Sequence, residues 1–79
     1  MVNTLENLEE SMLILVARRG NIGASRDDLF RGLKGVAYNE MEMRIEELER
    51  KGYITLQWLG ACDFVATITE LGKQQIQWT

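Results

Sequence analysis

Residues 35–58 read GVAYNEMEMRIEELERKGYITLQW, and the period of the apolar residues changes partway along. Between Tyr38 and Lys51, Met41, Ile45 and Leu48 fall within about 60° of one another at 100° per residue, the narrow buried stripe of an amphipathic helix. Gly52 is the residue expected in the left-handed conformation that ends such a helix. Beyond it Ile54, Leu56 and Trp58 alternate with Tyr53, Thr55 and Gln57, the period of a half-buried strand. After Leu59–Asp63 a second alternation puts Phe64, Ala66 and Ile68 on one face. The spacing predicts a β-hairpin with a five-residue tip.

Upstream, Ser25 with Asp28 forms a capping box that opens a short helix carrying Leu29, Phe30 and Leu33 and ending at Gly35. Ile22 stands alone between Gly20-Asn21 and Gly23, room for no more than one bridge of strand. The first helix spans about Asn3 to Arg19, with Asn3 and Glu6 as its capping pair. Leu5, Leu8, Met12, Leu15 and Val16 share one of its faces, and Leu13, Ile14 and Ala17 form a second stripe. Either this helix is the centre of a small core, or Ile14 and its neighbours form a dimer interface. Downstream, Thr69 caps a last short helix bearing Leu71 and Ile76, with Trp78 at its end. No repeat, low-complexity tract or linker divides the chain, so residues 1–79 form one domain.

Composition bounds the chemistry. Seventy-nine residues, 46% hydrophobic and 27% charged, suit one small core and exclude a disordered chain. There is no histidine and one cysteine, Cys62, which excludes imidazole bases, His-dependent triads and Cys/His zinc sites. No nucleophile, base and orienting group can be assembled, so no enzymatic activity, metal or cofactor is expected. The Asp27-Asp28 pair falls in a first helical turn, where the macrodipole already accounts for it. Proline is absent, leaving the turns to Gly, Asn, Asp and Ser. The longest apolar run, Met12 to Ala17, is far short of a membrane span, and the acidic N-terminus lacks a signal peptide's basic region; a cytoplasmic protein is the expectation.

The order helix, bridge, helix, tight Gly turn, helix, hairpin resembles the winged helix-turn-helix family, a fold of small bacterial and archaeal repressors. The resemblance rests on Gly35-Val36-Ala37 through Gly52-Tyr53-Ile54, which looks like the family's turn, recognition helix and start of the wing. Ile68-Thr69-Glu70-Leu71-Gly72-Lys73 is similar to the Leu-Thr-x-x-Gly-Arg/Lys sequence that closes the wing. It implies an α+β domain with a three-helix core, a two-stranded wing and a short C-terminal helix. It also implies a homodimeric transcriptional regulator that binds double-stranded DNA. On that reading Tyr38, Asn39, Met43 and Arg44 face the bases, while Arg26, Lys34, Arg50 and Lys51 contact phosphates.

Charge points the other way. The chain carries −3, and residues 38–52 hold five glutamates against Arg44, Arg50 and Lys51. Met43, Glu46 and Glu47 stand where the family commonly has Arg or Lys, and the tip Leu59–Asp63 has no cation. The alternative is a winged-helix protein-docking module with an acidic third helix and no DNA binding, using Glu46, Glu47, Ile14 or Trp78. Cys62 reads as a small turn residue or a thiol sensor, and Trp58 as a partner of Phe64 across the hairpin or part of an exposed aromatic patch.

Overall fold

The structure, a computed structural model, describes residues 7–61 and 63–77. Expectations placed on Asn3, Leu5, Glu6, Cys62 and Trp78 lie outside the described residues. Along the chain run α1 (Asn7–Arg19), a 3-10 turn (Gly20–Ile22), β1 (Ala24–Ser25), α2 (Arg26–Gly32), α3 (Tyr38–Arg50), β2 (Ile54–Trp58), β3 (Phe64–Ile68) and α4 (Glu70–Ile76). Among the described residues the architecture is α+β, with four α-helices and a three-stranded antiparallel sheet in the order β1-β3-β2. Among the described residues no helix is long and apolar enough to cross a membrane.

Burial on two sides makes α1 the centre of the core. Met12 and Val16 from one stripe and Leu13 and Ala17 from the other are all buried, and α1 touches α2, α3, α4 and β3. Ile14, on the second stripe, is half-buried. Met41, Ile45 and Leu48 bring α3 onto the same core, and Ile54, Phe64 and Ala66 close it from the sheet. Truncating Met41, Ile45, Leu48, Ile54 or Phe64 to Ala would cost about 2–5 kcal/mol, since the cavity left behind adds to the lost transfer energy.

Three expectations need correction. The single strand bridge expected at Ile22 is two residues further on: Ala24 pairs with Ala66 and Ser25 with Val65, so the sheet has three strands rather than two. Ile22 itself is 79% exposed. The cause is Gly23, at φ +86°, where an added Cβ would lie 2.4 Å from Val65 Cγ1 and 3.0 Å from the Ala66 carbonyl; only glycine lets the chain turn in against β3 there. Secondly, α2 ends at Gly32 and not at Gly35. The chain leaves the helical path at Leu33, whose side chain is buried, and Gly35 at φ +78° turns it toward α3. Thirdly, Phe30, read with Leu29 and Leu33 as the apolar face of α2, is 44% exposed. In α4 the close contact belongs to Gly72, where a Cβ would sit 2.1 Å from the Tyr53 carbonyl oxygen.

Candidate functional site

The outward side of α3 and the strand beside it form the most exposed functional surface that the sequence singled out. Gly52, at φ +85°, reverses the chain, with its N–H donating to the Glu49 carbonyl at 2.9 Å and the Tyr53 N–H to the Leu48 carbonyl at 3.1 Å. This double bond pattern satisfies two of the helix's last carbonyls and sends β2 back along α3. The Thr69 hydroxyl donates to the Gly52 carbonyl at 2.7 Å and accepts from the Gly72 N–H, locking the return to α4. The register Ile54↔Ile68 to Trp58↔Phe64 leaves the expected five-residue tip.

An open groove of about 630 Å³ runs between α3 and β2, lined by Glu46, Glu49, Arg50 and Trp58. Trp58 meets Phe64 edge to face, with ring centroids 5.3 Å apart, and remains 45% exposed. Glu46 and Glu49 are exposed and make no ion pair among the described residues, whereas Arg50 is held by Glu47. Asn39 and Met43 complete the outer face, Met43 being 66% exposed. The arrangement combines two free carboxylates with an aromatic edge, and suits a cationic group with an apolar stem.

On the inner side of α3 the cations have a different fate. Glu9 of α1 is 1% exposed, and its two oxygens receive Lys51 Nζ at 3.2 Å and an Arg44 guanidinium nitrogen at 3.6 Å. Arg44 also donates to Glu40 at 3.0 Å. A carboxylate removed from water must be compensated, and these two side chains supply the compensation. Arg44, expected to face bases, and Lys51, expected to contact phosphate, are therefore turned toward α1. The sequence reading missed Glu9, although a signal exists: Glu9 shares a helical face with Met12, Leu13 and Val16, and a charge inside an apolar stripe requires partners.

Where α2 meets α3, Tyr38 is half-buried, edge-on to Phe30 at 5.6 Å and beneath the Arg26 guanidinium at 5.1 Å from its ring centroid. Burial pushes the Tyr38 phenol above its usual 10.0, with nearby Glu42 acting in the same direction and Arg26 opposing them. Tyr38 thus packs the turn between helices, and of the residues expected to face bases Asn39 and Met43 are exposed. Asp28 has the capping role expected of it: it accepts from the Ser25 N–H while its own N–H donates to the Ser25 hydroxyl, each at 3.1 Å. The Ser25 N–H holds the Asp28 carboxyl below its usual 3.8 despite partial burial, helped by the Ser25 hydroxyl, Arg19 and Arg31.

The exposed basic residues cluster elsewhere. Arg18, Arg31 and Lys34 are exposed and make no ion pair among the described residues, and Arg19 lies 3.7 Å from Asp28. Of the expected phosphate contacts, Lys34 is exposed just past the end of α2, Arg26 covers Tyr38, and Arg50 borders the groove. Ile14 is separate from all of these, on α1. No protein-family model, curated protein or solved structure matches the chain.

Proposed function

We propose that this chain is a winged-helix protein-docking module whose third helix presents an acidic groove to a basic segment of a partner. The observation that carries the reading is the capture of Arg44 and Lys51 by buried Glu9. With those two cations turned inward, the rest of the α3 surface holds Glu42, Glu46, Glu47 and Glu49 against Arg50. About 5 Å from a phosphate, one carboxylate repels it by roughly 0.8 kcal/mol in water and about 3 kcal/mol at an effective dielectric constant of 20. Several such groups on the helix that would enter the major groove oppose DNA binding by α3. The same groups, beside Trp58, attract Lys and Arg.

The test uses Trp58 as reporter in a Trp78→Phe background. Titration with an arginine-rich peptide shifts Trp58 emission, and Glu46→Gln with Glu49→Gln weakens the response about tenfold or more, the scale of one to two lost charge contacts. A peptide response that is absent, or indifferent to these two substitutions, overturns the reading.

A homodimeric, DNA-binding transcriptional regulator is the second reading. It is favoured by exposed Arg31 and Lys34 on the helix before α3 and by exposed Asn39, whose amide suits adenine. It requires salt-dependent binding of labelled duplex DNA that weakens on Lys34→Gln and loses base preference on Asn39→Ala.

A further inference from the structure

We propose that the acidic groove is filled by the basic end of a second copy of this chain, so that copies associate head to tail. The proposal rests on the docking reading and names the partner. Between Arg18 and Ala37 the chain carries five Lys or Arg against two Asp, a local +3, while every other part of it sums to −6. The structure puts these charges at opposite ends of α1. Glu9, near one end, sits against Arg44 in the middle of α3 and Lys51 just past its end. Arg18 comes nine residues later, about 13–14 Å along the helix axis. Two molecules can set the Glu46/Glu49 face of one against the exposed Arg18 and Arg31 of the other.

The two poles match in more than sign. The acidic pole has Glu46 and Glu49 with half-exposed Trp58 and exposed Met43. The basic pole has unpaired Arg18 and Arg31, and Ile22 in the turn that follows Arg18 and Arg19, the most exposed large apolar residue of the described chain. An apolar side chain next to Gly23, whose carbonyl accepts from the Arg19 guanidinium at 3.3 Å, thus has a counterpart in an indole beside carboxylates. The poles are different patches, so the contact is heterologous and does not close on itself after two copies. A stable contact buries roughly 800 Å² per partner. That is about a sixth of the chain's 5012 Å² accessible surface.

Sedimentation velocity on the full chain tests this. At about 20 mM salt the weight-average sedimentation coefficient rises with concentration past that of a dimer, and at about 500 mM, where screening reaches only a few ångströms, it falls to the monomer value. Glu46→Gln/Glu49→Gln removes the acidic pole and Arg18→Gln/Arg31→Gln the basic one; each variant alone stays monomeric at low salt. Mixed in equal amounts they form a 1:1 dimer and stop there, because one intact groove meets one intact basic end. Circular dichroism checks that both variants keep the wild-type fold. A wild-type chain that is monomeric at low salt, assembly that survives either pair of substitutions, or a mixture that fails to dimerise overturns the proposal. If the chain is monomeric yet Trp58 still responds to the arginine-rich peptide through Glu46 and Glu49, only the second-copy proposal falls. If the peptide response is absent as well, the docking reading falls with it.

Discussion

On its inner side α3 lays Arg44 and Lys51 against Glu9; on its outer side it holds Glu46 and Glu49 in an open groove with Arg50 and Trp58. Both places combine glutamate with a cation from the same helix. They differ in water. Glu9 is closed off, so its ion pairs are obligatory and structural. Glu46 and Glu49 are solvated, so their charges are available to whatever approaches and contribute little to the fold. The comparison teaches that the function of α3 depends less on how many charges it carries than on which carboxylate is removed from water.

The sharpest way to break the inner cluster is Arg44→Met with Lys51→Met, which leaves Glu9 buried without a cation. The expected loss is about 3–5 kcal/mol, read as a lower denaturant midpoint with an unchanged slope. A loss near zero would mean that Glu9 reaches water and that the two sides of α3 are alike.

The second test converts one side into the other. Glu9→Gln keeps the shape and removes the charge, releasing Arg44 and Lys51 from their shared partner. Affinity for duplex DNA should then rise, with a salt slope steeper by up to about 0.9 for Lys51, since Arg44 keeps Glu40 as a partner. Fluorescence anisotropy at two salt concentrations measures it, and an unchanged slope would show that Glu9 is not what withholds Lys51.

A smaller effect belongs to the cap that holds α2 beside both regions. Ser25→Ala should cost about 1 kcal/mol in thermal or chemical unfolding. The pH dependence follows from Asp28, whose folded-state carboxyl is held below its usual 3.8 by the Ser25 N–H. A depressed carboxyl stabilises the fold above the unfolded value of about 3.9, and that stabilisation is lost as pH falls through the lower folded value. Asp28→Asn should therefore flatten the acid limb of stability against pH below about pH 4.

The smallest expected stability change is at the groove. Glu46→Gln with Glu49→Gln should leave the unfolding free energy within about 0.5 kcal/mol of wild type, as for surface substitutions generally. A loss several times larger would show that the outer carboxylates support the fold and are not free for docking.

Much of the fold was legible because local rules and burial agree. Met41, Ile45 and Leu48 announce α3, the alternation from Ile54 and from Phe64 announces the hairpin and its five-residue tip, and Ser25, Gly52 and Thr69 mark three element ends. The third strand was not legible. Ala24-Ser25 is too short to show a period, and only the contact of Gly23 with Val65 and Ala66 brings it to β3. Nor did spacing show that Phe30 and Leu71 stay exposed, since an apolar residue on the edge of a stripe is not required to be inside.

For the candidate site, the sequence alone determined the acidic balance of α3 and that Met41, Ile45 and Leu48 face the core. The Trp58–Phe64 pair was one of the two readings the sequence offered for Trp58, and the hairpin register realises it. Only the tertiary structure decided which cations remain free. Glu9 and Lys51 are 42 residues apart, and no local pattern links them. Packing α1 against α3 buries that carboxylate, and the cost of leaving it uncompensated draws Arg44 and Lys51 inward, away from the outer surface.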